Sequence, residues 1–384
     1  MTQALLDAPA ESTSTPAPVR RAPRRGERSS RHLSDFTDLS KRVKAEGLMA
    51  RSHVYYITRM IVLALGLAGL GWISVQVGES WWQLGLAVVL ALLMTQVAFL
   101  GHDAAHRQIF ASAKANEWTS LVVVNLFAGM GLGWWQVKHG RHHGSPNQVG
   151  KDPDIAPGAV VYTPEDVHSH RTALGRWFSS HQGIWFFPIL LLAGLQLHVN
   201  GFARLLSRDK VDRRWTEITL IVIRHTTLIA FAFVVMSPAL ATAFILVEVL
   251  VFGFYMGMSF APNHIGMPIV PKEVRIDFLR RQVLMSRNIS GGRLVDTLLG
   301  GLNFQIEHHL FPSMSRPNLR RVAPIVREHC ARLGIDYYET SLGRSYIEVG
   351  RFINRVGRGN IDVWSCPLAS SMRGGMPPVR RVDA

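Results

Sequence analysis

Eight of the chain's 16 histidines are arranged as metal-ligand candidates. HDAAH (102–106) supplies His102 and His106, four residues apart and therefore on one face of a helix. HGRHH (139–143) supplies His139, His142 and His143, and NFQIEHHLFP (303–312) supplies His308 and His309. His264, in APNHIG, is the eighth. One His-x-x-x-His pair is weak evidence, because helical histidines are commonly core or surface residues. Three clusters, each beside an apolar run or in the basic C-terminal region, are a stronger signal. Neutral imidazoles suit iron, zinc, copper or nickel. The chain has only Cys330 and Cys366, so a structural zinc or an iron–sulfur cluster is not indicated. Eight imidazoles exceed the roughly six ligands of one octahedral ion. The economical expectation is two ions sharing about four histidines each, with room for a small reactant. Gln305 stands three residues before His308 and four before His309, on their helical face. Its carbonyl oxygen can bind a metal weakly, or its amide can hydrogen-bond a neighbouring ligand.

The elements that must carry these residues are apolar. Hydrophobic residues make up 48% of the chain, and the formal net charge is +15. Stretches near 57–76, 82–100, 217–236 and 239–260 each approach the ~20 residues that cross a bilayer. The expected fold is an all-α integral membrane protein with four transmembrane helices and a cytoplasmic helical cap carrying the histidines. Lys and Arg are absent from the link VGES (77–80) and from the turn at Ser237-Pro238, and they crowd the other connections. The positive-inside rule then places both termini, the 101–216 stretch and the site in the cytoplasm of a multi-pass cell-membrane protein. IWFFPILLLAGLQLHV (184–199) is short for a span, and crossing there would export RDKVDRR (208–214), so it is expected to be interfacial. Residues 1–50 read as a disordered basic tail and lead-in, 51–355 as the membrane domain, and 356–384 as a disordered tail. The N-terminus has no apolar signal-peptide core.

Other residues carry weaker expectations. Trp134 and Trp135 can line an apolar tunnel, and Trp81 and Trp82 suit interface anchors. Arg224 and His225 lie inside an apolar run, where snorkelling accounts for Arg224 and the depth of Glu248 does not clearly match it. Asp103, Asp152 and Glu307 are candidates to orient ligand imidazoles. His32, His53, His168, His170, His181, His198 and His329 receive no role.

In combination, HDAAH, HGRHH and QIEHH, with apolar runs between them, resemble the histidine boxes of the membrane-bound fatty acid desaturase family over roughly residues 50–350. NFQIEHHLFP resembles the front-end subgroup and its bacterial relatives, whose third box begins with glutamine. The resemblance implies a non-haem di-iron oxidoreductase that uses dioxygen and two electrons to place a double bond in an acyl-CoA or lipid-linked acyl chain. It carries ligand roles over to His102, His106, His139, His142, His143, His308 and His309, with His264 as a further match and Gln305 at the variable first position of the third box. The cytochrome-type His-Pro-Gly-Gly motif found in many front-end enzymes is absent. A separate ferredoxin or flavin-dependent reductase is therefore the expected electron donor. Fatty acyl substrate and membrane lipid are the other expected partners, and no nucleic acid is expected. A membrane hydroxylase or ketolase would use the same histidines. A metal transporter would instead place its ligands near mid-membrane.

Overall fold

A computed structural model describes residues 25–167 and 172–359. The polypeptide is mostly helical: α1 (Arg25–Ala45), α2 (His53–Val77), α3 (Gln83–Ala105), α4 (Ala113–Leu121), α5 (Leu132–Gly144), α6 (Pro164–Val167), α7 (Ala173–Ser180), α8 (Gln182–Ile189), α9 (Ala193–Leu206), α10 (Arg214–Val235), α11 (Pro238–His264), α12 (Phe278–Leu284), α13 (Gly292–Leu298), α14 (Gln305–Leu310), α15 (Arg316–Leu333) and α16 (Leu342–Gly357). A π-helical segment, Val122–Phe127, extends α4. The departures from an all-helical chain among the described residues are a small parallel pair, β1 (Asn288–Ser290) with β2 (Glu339–Ser341), in which Ile289 faces Thr340, and an isolated bridge between Gln148 and Val270.

The four apolar runs expected to cross are the helices α2, α3, α10 and α11, with ends within about five residues of the sequence boundaries. Half of the apolar window of α3 and 39% of that of α11 are buried, against 17% for α2 and 11% for α10. The α3–α11 pair is therefore the protein-facing centre, and α2 and α10 present aliphatic surface outward. Small residues on α3 (Ala87, Ala91 and Ala98) are buried in this packing, which lets helix backbones approach closely. The same device joins α9 to α11. A Cβ on Gly253 would lie 2.2 Å from the Gly194 nitrogen and 2.8 Å from the Leu191 carbonyl oxygen.

Two findings revise the sequence expectations. The 184–199 stretch belongs to a continuous apolar helical run, Gln182–Leu206, so five helical stretches among the described residues are long and apolar enough to cross a membrane. This run is not one regular helix. Pro188 lies inside α8, where it leaves the Ile184 carbonyl without its helical N–H, and a 3-10 turn follows at Leu190–Leu192. The second revision concerns the lead-in, which is helical from Arg25. Leu39, Val43 and Leu48 are fully or nearly buried against α12 and α15, in a core with Leu279, Val283, Val322 and Val326. Residues 1–24, and 360–384 of the C-terminal tail, lie outside the described residues; Val356 and Gly357 close α16 as buried residues.

The polar end of the bundle is covered by α12, α14, α15 and α1 on one side and by α16 against α7 and α8 on the other. Gly253→Ala should destabilise the α9–α11 contact by about 1–3 kcal/mol, the usual cost of overpacking, although alanine is the better helix former. Thermal unfolding in detergent checks this against Gly69→Ala, where a Cβ meets nothing within 4 Å.

Candidate metal centre

α3 and α11 run past their apolar portions and end side by side. Their last turns deliver His102 and His264, with His106 as the residue that closes α3. α5 reaches the same place after the chain turns through 115° between Phe127 and Leu132. It presents His139 and His143 on one face and His142 on another. α14 is a short buried helix whose adjacent histidines point to different places.

The eight side chains converge into two groups. In the first, ligand nitrogens of His102, His106, His139 and His308 all lie within 4.8 Å of one another. In the second, the same holds for His142, His264 and His309. His143 stands between them, with Nε2 3.0 Å from His139 Nε2 and its ring stacked on His309 at a centroid distance of 4.2 Å. All eight sequence candidates are thus brought together, including His264 from outside the boxes.

The outer nitrogens of the second group are fixed. His142 Nδ1 faces both oxygens of Asp152 at 3.1 and 3.0 Å, His264 Nδ1 faces the Met285 carbonyl at 2.9 Å, and His309 Nδ1 faces Gln282 Oε1 at 2.9 Å. In each case Nδ1 donates, so Nε2 is left as a lone pair directed inward. The inward atoms are short of donors. His142 and His264 Nε2 atoms lie 3.2 Å apart, and those of His106 and His139 2.9 Å apart. The Nε2 atoms of His102, His308 and His309 are buried with no hydrogen-bond partner. Buried polar atoms are nearly always satisfied. Unpaired and mutually facing imidazole lone pairs fit cations between them.

Electrostatics favour the ligating form. Burial, reinforced by neighbouring imidazoles, holds His143, His308 and His309 well below the ordinary imidazole pKa, so these rings are neutral near pH 7. His142 differs: burial opposes its charge, but the Asp152 hydrogen bond and nearby Asp154 raise its pKa on balance. Asp152 itself is held by the backbone N–H groups of Asn147 and Asp154 at 2.7 and 2.9 Å.

Gln305 sits at the edge of the second group, with Nε2 2.9 Å from His264 Nε2 and Oε1 accepting from Asn263 Nδ2 at 3.3 Å. Rotating its terminal amide exchanges N and O, which directs an oxygen to where the His264 lone pair points.

Some sequence expectations change here. Of the three carboxylates, Asp152 orients a candidate ligand, His142. Asp103 is 3.4 Å from His102 Nδ1 but pairs chiefly with the buried Arg316 at 2.7 Å. Glu307 touches no site histidine. It accepts from Asn288 Nδ2 at 2.7 Å and from the Tyr337 hydroxyl at 2.8 Å, and burial pushes its pKa up to about 7. Trp135 stacks on His139 at 4.4 Å and lines an apolar crevice beside His102 with Phe99, Val124, Met256 and Phe260; Trp134 does not line it. Arg224 does meet Glu248, at 3.6 Å, and donates to the Phe127 carbonyl at 2.7 Å. His198, given no role from sequence, donates to the Gly129 carbonyl at 2.9 Å. Gln282 and Met285 were missed because their spacing in sequence carries no sign of a contact made only on folding.

Residues 79–341 match the family described as fatty acid desaturase. The Delta(5) fatty acid desaturase fat-4 of Caenorhabditis elegans is 30% identical over 323 residues, covering 81% of this chain and 71% of that protein. The Delta(8)-fatty-acid desaturase of Helianthus annuus is 26% identical, covering 80% and 69%. Fatty acid desaturase 3 of Bos taurus is 27% identical, covering 88% and 75%.

Asp152→Asn should lower metal affinity by about 10–100-fold, the usual cost of losing an orienting carboxylate. Metal retained per chain during titration with a chelator measures it, with gel filtration confirming an intact fold.

Proposed function

The chain belongs to the fatty acid desaturase family, and we propose that it inserts a double bond into a fatty acyl chain at a di-iron centre held by His102, His106, His139 and His308 on one side and by His142, His264 and His309 on the other. His143 lies between the two, and Gln305 completes the second as a ligand or as a hydrogen-bond partner of one. The observation that carries this reading is the convergence of eight buried or half-buried imidazoles, of which His102, His308 and His309 have buried inward nitrogens with no hydrogen-bond partner.

The methylene pair that reacts offers neither an acidic proton nor a leaving group, so acid–base side chains cannot activate it. Two irons held there would activate dioxygen as the oxidant, the balance being dioxygen, two electrons, two protons and the two hydrogens of a methylene pair going to two waters and a double bond. The protein's own residues hold, orient and exclude water. Phe99, Val124, Trp135, Met256 and Phe260 form an apolar wall beside His102 around a crevice of about 10 Å³, which must widen to admit an acyl chain. The stack of Trp135 on His139 covers the first group from that side. Acyl-CoA and lipid-linked acyl chains both suit an apolar crevice of this kind.

The membrane arrangement follows from parity. His102 and His106 close α3 and His264 closes α11, and all three share one centre. An even number of crossings must therefore separate these points. α10 and α11 provide two. The bent Ala113–Phe127 and Leu132–Gly144 pair, as one crossing, would carry His139, His142 and His143 away from His106, and Gln182–Leu206 would then make three crossings before His264, so each lies at the interface or re-enters. This supports four spans. The basic residues beside the centre favour a cytoplasmic site in the cell membrane, where anionic lipid or an acidic electron donor such as a ferredoxin or flavin reductase can approach.

Expression in a host lacking the corresponding unsaturated acids should yield a new double bond in the fatty-acid profile, absent with His308→Ala. Hydroxylated or keto acids as the only new products would select the rebound chemistry instead. Elemental analysis of the purified protein should give iron near two equivalents; a reproducible single zinc from iron-rich medium would exclude the di-iron reading.

Gln305→Ala and His264→Ala should each insert normally but lose most product. For Gln305 the expected loss is about 10–100-fold in metal affinity or activity. Wild-type turnover with full iron in either variant removes that residue from the centre.

A further inference from the structure

α5 carries three of the eight site histidines, yet it begins without a cap of its own. Gly131 precedes it and offers no side chain, so the first N–H groups of the helix need an acceptor from elsewhere. That acceptor is Glu217, in the first turn of α10 and only 2% exposed. Both carboxylate oxygens accept the Gly133 N–H, at 3.0 and 3.1 Å. Oε2 also accepts Asn125 Nδ2 at 3.0 Å, and the same amide group donates to the Met130 carbonyl at 2.8 Å. One carboxylate thus ties the π-helical segment before the turn to the first turn of α5 after it. A negative charge at a helix N-terminus is also favourable.

The fit is close on the helix side. A Cβ on Gly133 would lie 2.8 Å from Glu217 Oε1 and 3.0 Å from Val211 Cγ1. Carbonyls inside the turn are claimed by other helices: Phe127 O by Arg224 of α10, and Gly129 O by His198 of α9. The turn is therefore held from outside; α9 packs against the start of α5 at Gly131 and Gly201, and Glu217 is the side chain that accepts an N–H of the helix itself. From Gly133 to His139 is six residues, about 9 Å along a helix. Tilt or fraying at the start of α5 moves His139, His142 and His143 together.

We propose that Glu217 is a positioning residue for the metal centre, capping α5 from a neighbouring helix and so setting where its three histidines stand. The proposal rests on the reading of those histidines as metal ligands.

Its test uses the full-length chain purified in detergent, loaded with iron or with cobalt(II) as a spectroscopic probe. Glu217→Ala should remain monodisperse but release metal to a chelator about 10–100-fold more readily, with an altered cobalt ligand-field spectrum. Glu217→Gln should fall between wild type and Glu217→Ala, because its single amide oxygen still accepts the Gly133 N–H whereas its NH2 accepts nothing. Gly133→Ala should resemble Glu217→Ala, since the new Cβ displaces the carboxylate, whereas helix propensity alone would favour alanine. Wild-type metal retention and spectrum in Glu217→Ala would overturn the proposal. So would a Glu217→Gln variant as impaired as Glu217→Ala. If Glu217→Ala cannot be recovered from membranes, Gly133→Ala decides, and wild-type metal retention there rejects the cap. Wild-type protein that binds no metal at all rejects the metal-centre reading instead.

Discussion

A neutral imidazole has one N–H to give. In the second histidine group that proton is committed outward, from His142 to Asp152, from His264 to the Met285 carbonyl and from His309 to Gln282. The inward nitrogens are then lone pairs, and those of His142 and His264 face each other at 3.2 Å. Such an arrangement is repulsive without positive charge between the rings, and burial makes the repulsion worse by removing water that could donate. The rest of the architecture meets this requirement. α3 and α11 end side by side, α5 folds back to the same place, and α14 carries adjacent histidines so that one serves each group.

Holding lone pairs in place needs a rigid surround, and a buried cation supplies part of it. Arg287 is 1% exposed and spans the end of α11: its guanidinium donates to the carbonyls of Pro262 and Ile265, on either side of His264, and pairs with Glu348 of α16 at 2.8 Å. Its backbone N–H meets the Asn263 carbonyl at 3.0 Å. Desolvating a guanidinium costs several kcal/mol, and these partners offset that cost while satisfying carbonyls that the helix end leaves open. The segment that carries Arg287 also supplies the Met285 carbonyl to His264. One stretch of chain thus fixes both the backbone and the ring of a ligand candidate far from the three boxes.

The sequence disclosed what is local. The His-x-x-x-His and His-x-x-His-His spacings survive in helices because i, i+3 and i, i+4 geometry is set by the backbone alone. The four long apolar runs became helices for an equally local reason. Contacts made only on folding were hidden. The Arg224–Glu248 pair joins two helices at depths that residue counting did not match, and Glu307 turned to Tyr337 and Asn288 instead of to a histidine. The Gln182–Leu206 run was hard to class because its length comes from two helices and a 3-10 turn, interrupted at Pro188. α1 escaped notice because its polar composition gives no strong apolar period, although Leu39 and Val43 anchor its end in the core.

Ligand candidates and their supports are therefore encoded differently. Each histidine cluster is a short motif, but the groups that aim it come from other elements: Gln282 and Met285 around α12 for His309 and His264, Asp152 from the loop after α5 for His142, and Glu217 from α10 for α5 as a whole. A helix can set the spacing of its own side chains, but it cannot set its tilt or its distance from a neighbour. Those depend on hydrogen bonds across elements and on close backbone packing such as Gly194 against Gly253. Chains that share the histidine spacings can thus differ in how their two groups are placed, and in the depth of the crevice beside them, through residues that no box contains.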